Sequence, residues 1–194
     1  YSFGDFEKQP RPVVITEYTS SQTLYDIIQS KRKGKINPNW NDTKQLINIY
    51  GIASAMSYLH SHDILHSNLS LKNIFVDDSL CPKLADVGFF TQVENNKFAT
   101  HITTNEIGTD SYLTSPEFLK FGQKNFKTDV YSYSYIVYEI LSNEVPFKNI
   151  KNFKDLYEEI VDHKARPPLN RNIHNIYKQL IVSCWSDEPD DRPS

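Results

Sequence analysis

Chemistry-bearing side chains crowd into one stretch of this sequence, His66-Ser67-Asn68-Leu69-Ser70-Leu71-Lys72-Asn73, and return thirteen residues beyond Asn73 at Asp86-Val87-Gly88. Their types set limits at once. The amide of Asn68 accepts hydrogen bonds but is no useful base, whereas a carboxylate in its place takes up a hydroxyl proton. Asn73 and Asp86 are residues that close Asx-turns, so a purely local role in shaping loops stands beside any chemical one. Further along come Gly108-Thr109, Tyr112 and Ser115-Pro116-Glu117, then Asp129-Val130-Tyr131-Ser132-Tyr133, and finally Cys184-Trp185, Pro189 and Arg192-Pro193-Ser194. Any one of these clusters is weak. Their order and intervals carry the information.

The elements that must position these residues follow from periodicity. Pro12-Val13-Val14-Ile15-Thr16 is a short β-branched run and predicts a strand. Leu24-Tyr25-Asp26-Ile27-Ile28 is a short helical pattern that gives way to a basic, Gly- and Pro-containing loop through Asn39. Asp42 is placed to cap the next helix, with Gln45 three residues on as its capping-box partner. Leu46, Ile49, Ala53, Met56 and Leu59 then predict one face of a long amphipathic helix. Ile64-Leu65-His66, Ile74-Phe75-Val76 and Lys83-Leu84-Ala85 are too short for helices and predict small strands around a loop. Residues 89 to 114 show no clear period, and a structureless stretch of that length in a compact domain is usually functional. Asp129 opens an aromatic-rich helix to Leu141 with few charges, expected to be buried on most sides. Phe153, Leu156, Tyr157, Ile160 and Val161 keep helical spacing, as do Ile173, Ile176, Tyr177, Leu180, Ile181 and Cys184. There are no internal repeats.

Composition narrows the function classes. The 194 residues suit one domain, and a chain of this length buries roughly 70% of its unfolded surface. A hydrophobic share of 39% with 23% charged residues is a globular balance. The net charge is -3 with no basic stripe, which argues against nucleic acid as a partner. The basic run Lys31, Arg32, Lys33 and Lys35 reads as a solvated helix end or loop. Two cysteines, Cys81 and Cys184, make neither a disulfide framework nor a metal cluster, so a reducing, cytoplasmic setting is expected. No apolar run approaches the roughly 20 residues of a membrane span, and the opening residues are not a signal peptide. The chain begins without Met and reads as an excerpt of a longer one.

Taken together, the clusters resemble the protein-kinase catalytic domain. His66 to Asn73 resembles the catalytic loop H-R-D-x-x-x-x-N, and Asp86-Val87-Gly88 the D-F-G triplet. Gly108-Thr109, Tyr112 and Ser115-Pro116-Glu117 resemble the G-T-x-x-Y-x-A-P-E end of the activation segment. Asp129 to Tyr133 resembles D-V-W-S-F, and the last eleven residues resemble C-W-x-x-x-P-x-x-R-P-S. The resemblance covers nearly the whole chain. It implies an α+β, protein-kinase-like fold, mainly the helical C-terminal lobe with a small two-stranded sheet by the catalytic loop. Residues 1–18 correspond to the end of the N-lobe and the hinge, and 19–194 to the C-lobe. The Thr109 context is similar to serine/threonine kinases, and the C-W and R-P-S ending to the tyrosine-kinase-like group.

Phosphoryl transfer needs a phosphate cradle, a Lys held by a Glu, metal ligands and a residue that orients the attacking hydroxyl. No G-x-G-x-x-G and no V-A-I-K motif is present, and the chain stops short of the family's final helix, so truncation at both ends is expected. Val14 to Thr19 resembles the strand running into the adenine-binding hinge. Thr16 is then the gatekeeper, and the Glu17 carbonyl and Thr19 N–H pair with adenine. Asn73 and Asp86 match the family's Mg²⁺ ligands, an oxygen-only pair of the kind that suits Mg²⁺ beside ATP phosphates. The catalytic Asp falls on Asn68, a loss of about 10²–10⁴-fold. The Lys that touches the γ-phosphate falls on Ser70, and Lys72 need not reach the same place. The Arg that reads an activation-loop phosphate falls on Ser67, so phosphorylation of Thr100, Thr103 or Thr104 is not expected to order that loop in the usual way. The Phe of D-F-G is Val87, which implies looser packing against His66. Phe75 sits where the family floors the adenine; a Phe there either stacks on adenine or fills its pocket. Glu117 and Arg192 resemble a buried ion pair that anchors the activation segment. Asp129 resembles the helix-start Asp that bonds the catalytic-loop backbone, and has an N-cap's structural reason to be there. Trp185 and Tyr131 read as core aromatics.

Residues that hold the fold match the family, while residues that do chemistry are partly replaced. The leading expectation is a pseudokinase that binds protein partners and retains ATP with Mg²⁺. The rival is a working serine/threonine kinase acting on a protein substrate and tolerating Asn68. A decayed fragment is the third reading, and predicts poor solubility from apolar surface meant for the N-lobe.

Overall fold

One aromatic helix organises the core of the structure, a computed structural model that describes residues 17–19, 21–87, 111–122 and 124–194. The strand expected at 12–16, including Thr16, lies outside the described residues, as do Gly88, Thr100, Thr103, Thr104 and Gly108-Thr109.

The first helix, α1 (Leu24–Arg32), starts at a capping box in which Thr23 and Asp26 each bond the other's backbone. It buries Leu24, Ile27 and Ile28. The second, α2 (Asp42–Ser61), is capped by Asn41, whose side chain accepts the Lys44 N–H at 3.0 Å. The expected Asp42 cap is therefore off by one position: Asn41 is extended, at φ -115°, and Asp42 is already the first helical residue. Gln45 reaches only the Asp42 side chain, at 3.5 Å. The buried stripe is also rotated from expectation. It runs through Gln45, Asn48, Ile49, Ile52 and Met56, while Leu46 stays 39% exposed. Asn48 earns its buried place by donating to the carbonyls of Lys44 and Leu80, both at 2.8 Å.

Strands β1 (Ile74–Val76) and β2 (Pro82–Leu84) pair antiparallel, with Phe75 opposite Lys83. Asp77 closes their connection by accepting the N–H groups of Ser79 and Cys81. Gly51 of α2 lies beneath this hairpin, where an added Cβ would meet Pro82 Cγ at 2.7 Å, so helix and sheet touch without a spacer. The small strand expected at Ile64–His66 does not form. Its backbone groups have other partners: the Ile64 N–H bonds the Leu59 carbonyl and the His66 N–H a carboxylate of Asp129.

After the short α3 (Pro116–Phe121) comes α4 (Phe126–Ser142), buried on nearly every side through Tyr131, Tyr133, Tyr135, Ile136, Val137, Tyr138 and Ile140. Its cap is Asn125, in a capping box with Thr128, so Asp129 sits inside the first turn rather than at the cap. Its far end stops at Asn143, left-handed at φ 59°. The guanidinium groups of Arg166 and Arg192 lie 5.5 and 5.0 Å from the centre of the Tyr131 ring. Trp185 packs on Tyr135 with centroids 5.6 Å apart, so both expected core aromatics are in the core. Then α5 (Phe153–Tyr157) runs on into a π-helical turn, Glu158–Asp162, that buries Ile160 and Val161. The last helix, α6 (Asn175–Cys184), packs on α4. The arrangement is the expected mainly helical lobe with one small sheet.

Candidate functional site

The loop from His66 to Asn73 has its shape because main-chain groups along it meet side chains from elsewhere. Asp129, 2% exposed in the first turn of α4, accepts the His66 N–H at 2.8 Å and the Ser67 N–H at 2.9 Å. His60 Nε2 lies 3.0 Å from the same carboxylate, and the His60 ring packs against Phe126. This is the backbone role the sequence suggested for Asp129. The Ser67 carbonyl, with Ser67 at φ 63°, accepts from Lys124 Nζ at 2.6 Å. Leu69 and Leu71 then anchor the loop in the core, and a single 3₁₀ turn, Leu71–Asn73, leads into β1.

Asn73 joins the two halves of the site. Its side-chain amide donates to the Asn68 carbonyl at 2.8 Å. Its own carbonyl accepts the Ala85 N–H at 2.9 Å, which places Asp86 beside the loop. Asp86 is exposed, at φ 57°, in the left-handed region that Asn and Asp tolerate better than most residues other than glycine. With its NH₂ committed, Asn73 has Oδ1 left to offer. Oδ1 and the Asp86 carboxylate are both oxygen donors, the ligand type that Mg²⁺ takes. Among the described residues, no group of three or more His, Cys, Asp and Glu side chains is placed to hold a metal.

The other expected site residues are placed as follows. Asn68 is exposed, and Ser70 is 5% exposed in the floor beneath it. Lys72 projects toward α1, its Nζ 5.3 Å above the Tyr25 ring, and is absent from the lining of the cavity that Ser70 shares with Asn68. Phe75 is half-buried at the centre of β1 and bridges to Thr23. Glu17 is exposed with its carboxylate 3.2 Å from Lys83 Nζ of β2, and Thr19 is half-buried. Thr16 lies outside the described residues.

His66 is fully buried, and neither ring nitrogen has a hydrogen-bond partner among the described residues. Burial pushes its pKa down, opposed by the charges of Asp129 and Asp86, so the ring favours the neutral form. Burial likewise lowers the Lys124 pKa, against the pull of Asp129. The expected Glu117–Arg192 pair is bidentate, at 2.7 and 2.9 Å, with the Arg192 side chain at 0% exposure.

Two features were not anticipated from the sequence. Glu139 of α4 accepts from Tyr112 at 2.6 Å and from Arg32 at 2.8 Å, so Arg32 turns inward from the run read as solvated. Its place inside the run, between Lys31 and Lys33, gave no signal of this. Lys124 is the second, since only folding brings it to Ser67, 57 positions away.

A family model described as protein tyrosine and serine/threonine kinase matches residues 3–194. Over 182 residues the chain is 32% identical to a probable serine/threonine-protein kinase of Dictyostelium discoideum, which covers 93% of this chain and 13% of that protein. It is 31% identical over 183 residues to a dual specificity protein kinase of the same organism, with 94% and 13% covered. A serine/threonine-protein kinase of Arabidopsis thaliana is 25% identical over 192 residues, with 98% and 32% covered. The chain thus spans 13% of the first two relatives' lengths.

Proposed function

This chain belongs to the protein kinase family, and on that premise we propose that it is a pseudokinase: a signalling domain that acts by binding protein partners while still taking up ATP with Mg²⁺. One observation carries the reading. Asp129, Lys124 and Asn73 hold the loop's main chain at His66, Ser67 and Asn68, yet the loop presents the amide of Asn68 where the family presents a carboxylate.

Asn68 holds and orients a hydroxyl but takes no proton from it. Ser70 supplies no charge to a γ-phosphate. Asn73 and Asp86 would hold Mg²⁺, which neutralises charge on the β- and γ-phosphates when bound. The Glu17 carbonyl and Thr19 N–H, with Thr16 as gatekeeper, would take the adenine. Lys83 favours this by tying Glu17 to the sheet that carries Phe75. Residues 1–18 then form the end of the N-lobe and the hinge. The Cys184-Trp185 and Arg192-Pro193-Ser194 ending supports membership of the tyrosine-kinase-like group, and free Cys81 and Cys184 thiols support a reducing, cytoplasmic setting. Among the described residues, no helix is long and apolar enough to cross a membrane.

The relatives' names favour a second reading, a competent serine/threonine kinase that uses Mg²⁺ and positioning while tolerating Asn68. Calorimetric titration of ATP into the full-length chain, with and without Mg²⁺, is expected to show binding that Mg²⁺ tightens. Phosphotransfer is expected to be slow and to rise about 10²–10⁴-fold in Asn68→Asp. Wild-type turnover near 1 s⁻¹, the low end of normal kinases, sinks the pseudokinase reading. Absence of ATP binding in both conditions leaves a scaffold, with either Phe75 filling the pocket or the N-lobe missing.

A further inference from the structure

A cavity of about 390 Å³ opens between α1 and the connection from α4 to α5, and its lining includes no residue of the catalytic loop, the Mg²⁺ ligands or the hinge. Tyr25, Val145, Phe147, Ile150 and Leu156 give it apolar walls. Its polar lining is lopsided. Among the described residues, Glu139 is the one carboxylate there, and it is spent internally: it accepts from Arg32 at 2.8 Å and from Tyr112 at 2.6 Å. Arg32 is spent as well, donating also to the Asn143 and Glu144 carbonyls at 3.0 and 2.7 Å. That leaves Lys148 and Lys151, both exposed on the connection. Neither side chain has a hydrogen bond or ion pair among the described residues. The apolar wall is preformed. Phe147 stands at φ 49°, an outlier for a bulky residue, and persists there because its carbonyl takes the Ile150 N–H at 2.9 Å and its ring packs on Tyr135.

We propose that this cavity docks an acidic segment of a partner protein, which places an apolar side chain against Tyr25 and Phe147 and its carboxylates on Lys148 and Lys151. The inference rests on the reading of the chain as a module that binds protein partners, and it names the chemistry of that partner. Charge selects the sign. A basic segment would bring like charge to two lysines that lack a counter-charge, and the carboxylate that could receive it is already closed by Arg32. Shape selects the kind of ligand. A small anion needs polar groups that converge on it, whereas here Arg32 is committed and both lysines stand exposed. An apolar centre with a charged rim is instead the anatomy of a protein–protein contact. A wall held in advance lowers the cost of ordering on binding.

The test is fluorescence anisotropy of the full-length chain, without ATP, against three dye-labelled peptides of equal length. One carries alternating Glu and Asp around a central Leu-Phe pair; the second has Lys at every acidic position; the third keeps the acids but has Ala-Ala at its centre. The first is expected to bind tightest and to weaken as salt rises, since exposed charges are screened. Lys148→Glu combined with Lys151→Glu is expected to weaken it about tenfold, the sum of two exposed pairs lost and two repulsions gained. Val145→Ser is expected to weaken it several-fold, and Lys120→Glu, exposed on α3, to leave it unchanged. If the double charge reversal does not fold, Lys148→Gln with Lys151→Gln decides. Equal affinity for the acidic and basic peptides, no loss in the lysine variants, or no loss with Ala-Ala at the centre overturns the proposal. So does sedimentation showing self-association that the lysine variant abolishes, which gives the cavity to a second copy of the chain. Normal kinase turnover with the peptide preference intact sinks the pseudokinase reading and keeps this surface; slow phosphotransfer without a peptide preference does the reverse.

Discussion

Substituting Glu117 by Ala tests the energetic logic of the lower part of the structure. Arg192 is fully buried and carries five hydrogen bonds: two to the Glu117 carboxylate, and one each to the carbonyls of Ser186, Lys127 and Asp187. The Tyr131 ring covers its face at 5.0 Å. In Glu117→Ala the guanidinium keeps the carbonyls and the ring but loses its only neutralising charge among the described residues. Two charge-assisted bonds at about 1.5–3 kcal/mol each give ~3–6 kcal/mol. Breaking a buried pair by removing one partner costs ~3–5 kcal/mol, so the two routes agree. With an unfolding entropy of ~2.1 cal/mol/K per residue, 3–5 kcal/mol lowers Tm by about 7–12 °C for a chain of this size. Urea unfolding followed by the fluorescence of Trp40 and Trp185, both 5% exposed, reads the effect directly. The midpoint should fall with little change in m. The double variant Glu117→Leu, Arg192→Met should recover part of the loss, because no charge is then stranded. A single-substitution cost below about 1 kcal/mol, the worth of a surface ion pair, refutes the reasoning.

Two further outcomes follow from the loop and its surroundings. Asp129→Asn turns an amide NH₂ toward at least one backbone N–H, leaving a buried donor unmet at a cost of about 1–3 kcal/mol. Hydrogen exchange at the His66 and Ser67 amides should accelerate more than at the core of α4; equal protection before and after the substitution contradicts the assigned role. His66 has a lowered pKa in the folded state, so below its unfolded value of about 6.5 the unfolded chain binds the extra proton first and stability falls. Above about pH 6.5 its contribution is flat, and below it the slope approaches ~1.4 kcal/mol per pH unit until the folded ring itself protonates. Subtracting the profile of a His66→Phe variant between pH 5 and 7 isolates this slope, and superimposable profiles show that the ring does not titrate differently on folding.

Residues whose role depends on charge and direction were the most legible. Glu117, Arg192 and Asp129 each make the contact their motifs suggested. Boundaries were less so, because adjacent residues compete for one task. Asn41 and Asp42 are both good caps, and the backbone of Asn41 decides between them. Asp129 looks like a cap until Asn125, four positions earlier, takes the job and frees Asp129 for the loop. Ile64–His66 has strand composition but no ladder partner, since Leu59 and Asp129 take its N–H groups. Lys124 carried no local signal at all: its meaning arises from a contact with Ser67 that no periodicity encodes.

The way the loop is held has a consequence for how such a chain changes over time. Asp129 grips the N–H groups of His66 and Ser67, Lys124 the carbonyl of Ser67, and Asn73 the carbonyl of Asn68. Among the described residues, none of these grips uses the side chain of Ser67 or Asn68. Those side chains therefore occupy a socket whose shape is indifferent to its contents. Exchanging a carboxylate for an amide there alters chemistry without unsettling the walls, in either direction. A frame of this kind tolerates exchange at position 68 without giving up the main-chain bonds that hold the loop.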